Sequence, residues 1–290
     1  MRLKDFYRLV VKFGSERDPR GRKRVASYSD TALLYGDPNT NVKRILIGID
    51  MEVGELMLAD KIRKESGLDL VISHHPEGRA YARLHEVMKL QVDILKSSGV
   101  SFVLAEKLLD KRMEEVSRRI LSQNHMRSVD AARLINMPFM CMHTPADNHV
   151  HVFLKNLMQV KKPKKVKDII TILSEIPEYR YAADKVGCGP RIILGSPNRS
   201  AGKIIFEMTG GTEGPKEALE KLYKAGVRTI VSMHASDEHL KKAKEANLSL
   251  IIAGHISSDT LGLNLLLDRI EKKERFDILG CSGFNRIRRI

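Results

Sequence analysis

The 290-residue sequence has no tryptophan, only three cysteines and 10 prolines, and no long apolar run. Each scarcity excludes something. Cys141, Cys188 and Cys281 are odd in number, far apart and without a Cys-x-x-Cys pair. That argues against a disulfide framework or a zinc ribbon and fits a reducing cytoplasm. The longest apolar stretches, 45–49 and 248–253, fall far short of the ~20 residues a membrane helix needs. The N-terminal segment lacks the ~7 to 15 apolar residues of a secretion signal. A cytoplasmic protein with no membrane partner is therefore expected. With 8 Phe and 7 Tyr in the whole chain, and none inside its basic runs, there is little material for stacking bases.

What is present describes a folded, basic chain. Hydrophobic residues make up 42% and charged residues 30%, outside the compositions that stay disordered. The length suits about two domains of ~150 residues each. A net charge of +14 favours anionic partners, a small-molecule substrate first and nucleic acid second. Part of it is concentrated in 14–24 (Arg17, Arg20, Arg22, Lys23, Arg24) and in 161–167. Such runs also occur as solvated loops.

Self-similarity organises the chain. A short apolar strand at 44–50, an amphipathic helix at 53–66 and a second strand leading to His74 and His75 form one copy. The other runs from a strand at 203–207, through a helix at 215–225, to a strand ending at His234. Glycines 67 and 226 close the two helices, as a left-handed C-terminal cap requires. Aligned from those glycines, His234 falls on His75. Repeated βαβ units predict an α/β fold of two related halves with mainly parallel sheets packed around a site at the strand ends. The predicted organisation is a basic N-terminal segment at 1–43, a first α/β half at 44–159 with a helical insertion, a connector at 160–200 and a second α/β half at 201–290. Helices are also predicted at 79–99 and 105–123. The turn Thr209-Gly-Gly-Thr-Glu-Gly lacks the Gly-Lys-Ser/Thr ending of a phosphate-binding loop and reads as a strand-to-helix connection.

Three clusters carry candidate chemistry. Ser73-His74-His75-Pro76 ends an apolar strand, and Pro76 supplies the break that lets neighbouring histidines turn toward one ligand. His143-Thr-Pro-Ala-Asp147-Asn148 follows another strand; Asp147 has two oxygens with which to bridge cations, and His143 can ligate or orient. Gly254-His255-Ile-Ser-Ser-Asp259 precedes a helix predicted over 261–272, with the serines as caps and Asp259 in its first turn. Alone, each cluster also reads as a polar loop, a turn or a helix cap. Three strand ends presenting His or Asp together resemble a mixed nitrogen and oxygen site for a first-row metal. His149 and His151 read as helix-surface residues.

In their order and over about 44–270, these segments resemble the NGG-interacting-factor family of dinuclear-metal-centre proteins, also called type 2 GTP cyclohydrolase homologues. Its marks are His-His-Pro, His-Thr-x-x-Asp and Gly-His-x-x-Ser-acid, here His74-His75-Pro76, His143-Thr144-Pro145-Ala146-Asp147 and Gly254 to Asp259. The resemblance implies two α/β halves, a toroidal homohexamer, and two divalent transition-metal ions (Zn, Mn, Fe or Ni) held by His74, His75, Asp147, His255 and Asp259. The family's last acid is usually Glu, so the shorter Asp259 puts its own reach in question. Residues 1–40 match nothing in the pattern.

Two such ions would activate water and polarise a phosphoryl group or ring carbon, so hydrolysis of a nucleotide or phosphoester is the expected class. Glu77, Tyr81, His143 and His234 are the candidates for proton transfer, by their closeness to the motifs or to the repeat equivalent of His75. The competing expectation is a metal-binding scaffold or regulatory protein that contacts nucleic acid or another protein.

Overall fold

The computed structural model describes residues 1–21 and 25–289; Arg22, Lys23 and Arg24 of the first basic run lie outside the described residues. Two compact units are formed. One comprises Met1–Val87, Glu115–His149 and Asp259–Ile290, the other Met88–Glu114 and Val150–Ser258. Through the first half the chain runs α1 (Leu3–Ser15), β1 (Thr31–Tyr35), β2 (Arg44–Gly48), α2 (Val53–Ser66), β3 (Leu70–Ser73), α3 (Gly78–Ala82) and α4 (Leu84–Val87). It continues with α5 (Leu90–Ser97), α6 (Phe102–Leu121), α7 (Arg127–Leu134), β4 (Phe139–Met142) and α8 (Thr144–Lys161). Next come α9 (Val166–Ser174), α10 (Pro177–Tyr181), a π-helical turn (Ala182–Val186), β5 (Arg191–Leu194), β6 (Lys203–Glu207), α11 (Ala218–Lys224) and β7 (Val227–Ser232). The chain closes with α12 (Asp237–Glu245), β8 (Ser249–Ile252), α13 (His255–Glu271) and β9 (Asp277–Gly280).

The first unit holds a sheet in the order β1-β4-β3-β2-β9 and the second a sheet in the order β5-β8-β7-β6. In each, three neighbouring strands run parallel and one edge strand runs antiparallel: β1 against β4, and β5 against β8. The repeat read from the sequence is therefore a repeat of topology, and the α/β class with mainly parallel sheets is the one observed. The C-terminal β9 adds a further parallel strand beside β2 in the first sheet.

Register explains where polar groups gather in the first unit. Gly48 pairs with Ser73, and Ser73 with Cys141, so β2, β3 and β4 end together. Antiparallel β1 begins where β4 ends, Thr31 facing Met142. The residues just beyond this edge are Asp30, Asp50, His74, His75 and His143. Beneath them the strands are apolar on both faces, as parallel strands covered by helices must be. Ile45, Ile47, Leu70, Ile72, Met140 and Met142 pack with α1 and α13 through Phe6, Val10, Leu263 and Leu267. Leu46, Val71 and Phe139 pack on the opposite face with Leu56 and Ala59 of α2. At ~25 cal/mol per Å² of apolar surface, this two-sided burial is what holds the strand ends in place.

Several expectations are corrected. The helix predicted at 79–99 is three short ones, interrupted where Arg83 takes φ −109° and ψ 13°. The last helix begins at His255, not Leu261, because Gly254 at φ +110° makes the turn and Ser258 Oγ donates back to the Gly254 carbonyl at 2.5 Å. Ser257 and Ser258 are thus inside the helix, and Asp259 stands one turn after His255. His149 and His151 are buried, 4% and 5% exposed, since the first turns of α8 are covered on all sides. Among the described residues, no helix is long and apolar enough to cross a membrane.

Candidate metal centre

β3 delivers His74 and His75. Their backbone N–H groups continue the ladder to Gly48 and Ile49 for two residues past the strand, and the rings then turn together, centroids 5.4 Å apart. His74 is fully buried, and its Nδ1 donates to the Met142 carbonyl at 3.2 Å, so Nε2 is the nitrogen turned to the rest of the cluster. His75 Nδ1 donates to Asp50 at 2.6 Å. His143, at the end of β4, is held in the same manner: its Nδ1 donates to the fully buried Asp30 at 2.8 Å, while Thr144 Oγ1 donates to the same carboxylate at 2.6 Å. Pinning one ring nitrogen of each imidazole sets its orientation and leaves the other nitrogen to ligate.

Two buried carboxylates face these nitrogens. Asp147, in the first turn of α8, has Oδ1 3.4 Å from His74 Nε2 and Oδ2 3.7 Å from His143 Nε2. Asp259 has Oδ1 3.5 Å from His74 Nε2 and Oδ2 3.4 Å from His75 Nε2. The shorter acid reaches because α13 lies close to the start of α8: a Cβ on Gly262 would stand 2.5 Å from the Ala146 carbonyl oxygen. On the other side Gly14 of α1 makes a similar approach to Pro145.

The electrostatics of the cluster suit a cation. Burial alone would lower the pKa of His74, but Asp259 and Asp147 outweigh it and raise it to about 10. His75 is lifted to about 9, against burial and the His74 charge, by Asp259 and Asp50. Buried carboxylates attract positive charge. Protons on the imidazoles satisfy that demand, and a divalent cation would satisfy it with the imidazoles neutral. His74 Nε2 and Asp147 Oδ1 are buried and make no hydrogen bond, although such groups are nearly always satisfied in native interiors. The sets His74, His75, His143 and His74, Asp147, Asp259 each offer ligand atoms within 4.8 Å of one another. The residues present fit a metal.

Of the residues expected from sequence, His74, His75, Asp147, Asp259 and His143 come together in the first unit. Glu77 sits just past the histidine pair, its pKa raised to about 7 by burial and by the charges of Glu52 and Asp50, with Ser128 opposing. Tyr81 is turned to His125, ring centroids 5.3 Å apart and near-perpendicular, rather than to the histidines of the site. His255 opens the helix that carries Asp259 and belongs to the second unit. There His234 meets it edge-on at 4.9 Å, with Nδ1 3.5 Å from Glu213. His239 takes the other Glu213 oxygen at 3.1 Å. Despite the opposing effect of burial, these two imidazoles hold the Glu213 carboxyl far below the usual range. Asp30 and Asp50 were not singled out from sequence. Asp50 carried the same signal as the histidines, a polar residue directly beyond an apolar strand, whereas Asp30 precedes its strand and shows its role only through the antiparallel pairing of β1.

No protein-family model and no curated protein matches the sequence. Solved structures do. The chain is 28% identical to a NIF3 superfamily protein from Sphaerobacter thermophilus, with a TM-score of 0.80 over 95% of this chain and 97% of that one. Reduced HcgD from Methanocaldococcus jannaschii shares 14% identity at a TM-score of 0.59, over 97% of each chain. The protein TTHA1606 from Thermus thermophilus shares 12% at 0.55, over 100% of each. At such identities these last two speak to the fold alone.

Proposed function

Since the chain belongs to the NIF3 superfamily, we propose that it is a dinuclear-metal hydrolase acting on a nucleotide or phosphoester. Its ligands would be His74, His75, Asp147, His255 and Asp259. The observation that carries this reading is the buried meeting of His74 Nε2 with the carboxylates of Asp147 and Asp259, with no hydrogen bond from His74 Nε2 or Asp147 Oδ1 to account for it. The two oxygens of Asp147 address different imidazoles, which suits a bridging carboxylate.

Bound divalent ions would lower the pKa of water and neutralise charge developing on a phosphoryl group. The chain's own residues supply the rest. Met142, Asp50 and Asp30 fix three imidazole orientations, so little rearrangement precedes binding. His143 Nε2 and the Glu77 carboxyl are the groups beside the centre that can take up or return a proton. The apolar strands under the site exclude water from one side. A homohexamer, implied by the family resemblance, belongs to the same proposal and is tested by light scattering.

The experiment is elemental analysis of the native protein beside a His74→Ala, His75→Ala double variant and Asp259→Ala, followed by a screen of GTP and phosphoesters. Close to two transition-metal ions per chain, lost in the double variant and reduced by at least one in Asp259→Ala with the circular-dichroism spectrum unchanged, is the expected result. Native protein that contains no metal and takes up no added Zn, Mn, Fe or Ni would sink the proposal. Stoichiometric metal without turnover, together with salt-sensitive DNA binding, would favour a scaffold.

A further inference from the structure

Beside the histidine and aspartate cluster, within the first unit, lies a polar cavity of about 520 Å³ whose walls include Arg20, Arg79, Arg83, Ser29, Tyr7 and Tyr28. Its lining shares segments with the centre. Ser29 and Thr31 flank Asp30, the carboxylate that holds His143 and Thr144. Arg79 follows His75 by four residues, on α3.

The charges in this cavity are unevenly matched. Arg20 is paired with Asp18 through two contacts, at 2.8 and 2.7 Å, and Arg83 with Glu86, also a wall residue, at 2.9 and 2.8 Å. Arg79 has no such partner. Its hydrogen bond, at 2.6 Å, goes to the carbonyl of Leu33, a neutral acceptor, and no carboxylate among the described residues forms an ion pair with the guanidinium. Ser29 Oγ is buried and makes no hydrogen bond. The Tyr7 hydroxyl donates to the Thr31 carbonyl and the Tyr28 hydroxyl to Asp18, which keeps both phenols fixed along the wall.

A guanidinium without an ion pair, an unsatisfied hydroxyl and further planar donors around one cavity form a receptor for a tetrahedral oxyanion, because arginine presents several N–H groups in a fixed fork. We infer that this cavity binds a phosphate group of the substrate, with Arg79 and Ser29 as its primary contacts and Arg83 at its rim, while the bond to be cleaved lies at the adjoining cluster. This rests on the hydrolase reading and narrows it to substrates that carry a phosphate group besides the one at the reacting bond. A phosphate anchored there contributes binding energy remote from the reacting atoms, the kind an enzyme uses to position a substrate.

The test is a calorimetric titration of the full-length protein, as purified, with inorganic phosphate at low ionic strength. Metal content is measured on the same samples. Wild type should bind phosphate saturably. Arg79→Gln should weaken binding at least tenfold and Ser29→Ala or Arg83→Gln at least threefold, with metal content unchanged. Lys61→Gln, an exposed cation on α2, should bind as wild type does. Arg83 is 62% exposed, so its variant keeps the test decisive if Arg79→Gln folds poorly. Absence of saturable binding by wild type below about 10 mM, or affinities within twofold in both Arg83→Gln and Ser29→Ala, would overturn the inference. So would binding that is abolished by Asp147→Asn yet unchanged in the arginine variants, which would locate the anion on the metals. Wild type that contains no metal, takes up no added Zn, Mn, Fe or Ni and still binds phosphate through Arg79 would refute the hydrolase reading and leave the cavity standing as an anion site.

Discussion

Replacing Gly262 by alanine perturbs the centre without touching an ionisable group. The new Cβ would stand 2.5 Å from the Ala146 carbonyl oxygen and 2.9 Å from its carbon. Both are backbone atoms, so relief requires sliding α13 against the first turn of α8 by about 1 Å to reach ordinary contact. Overpacking of this kind costs about 3 kcal/mol at the upper end of its usual range. Alanine's better helix propensity offsets about 1 kcal/mol of that. A net loss of about 2 kcal/mol lowers the melting temperature of a chain this size by about 3 °C. The displacement reaches the site directly, because Asp259 lies nearly one turn before Gly262 and Asp147 follows Ala146. Liganding groups tolerate only ~0.5 Å of misplacement, so metal affinity in competition with a chromophoric chelator should fall at least tenfold. Gly54→Ala, in α2 where an added Cβ meets nothing within 4 Å, is the control and should melt no lower than wild type. A Gly262→Ala protein that melts as high as wild type and holds metal as tightly would refute the idea that this contact sets the spacing of the two carboxylates.

Other outcomes follow from buried charge. His151 is neutral in the fold, its pKa lowered to about 4 by burial and by Lys155. Its contribution is therefore fully present above the unfolded value of ~6.5 and is lost as pH falls toward 4, a loss of about 2 kcal/mol between pH 7 and 5. Urea midpoints of wild type should show that loss and those of His151→Gln a smaller one; equal slopes would refute the assignment. Arg286, 5% exposed, bridges Asp268 and Glu271 at 2.6 and 2.5 Å, so Arg286→Gln should cost about 3 kcal/mol in chemical denaturation, and a loss below about 1 kcal/mol would count against that burial. Burial pushes the Cys141 thiol up to about 12 and the Cys281 thiol up to about 11, whereas Cys188 is exposed. Alkylation of native protein near pH 8, mapped by mass spectrometry, should modify Cys188 first, and early labelling of Cys141 would show that β4 opens readily.

Much of this architecture was legible because its signals are local. α2 spans the residues expected of it, since an apolar periodicity ends at a glycine that takes φ +78°. The strand ends carrying His74, His75 and His143 stood out as polar residues abutting short apolar runs. What escaped notice depends on partners distant in sequence. His149 and His151 looked like surface residues because polar side chains on a helix usually mark its wet face, and α8 has no wet face over its first turns. The serines before Asp259 resembled caps, yet Gly254 makes the turn and the helix absorbs them. Asp30 is set against His143 by an antiparallel pairing 111 residues apart at Thr31 and Met142, which no local pattern encodes. The short apolar run that becomes β9 gives no indication of which sheet it will join.

That last strand bears on the order in which the molecule can be made. β2 waits for β9, more than 200 residues downstream, before its outer edge is covered. At ribosomal speeds of ~5 to 20 residues per second this interval is roughly 10 to 45 s, during which an apolar parallel strand has an unpaired edge, the feature that invites aggregation. The sheet of the second unit, by contrast, draws its strands from the unbroken stretch between Arg191 and Ile252 and is complete before the first. The segment synthesised earliest is thus among the last to mature, and a nascent chain already displaying His74, His75 and Asp147 still lacks Asp259. Before that, His74, His75 and His143 are the imidazoles on hand without the Asp259 carboxylate, and the emergence of α13, rather than the collapse of the strands made first, sets the moment at which the ligand set is complete.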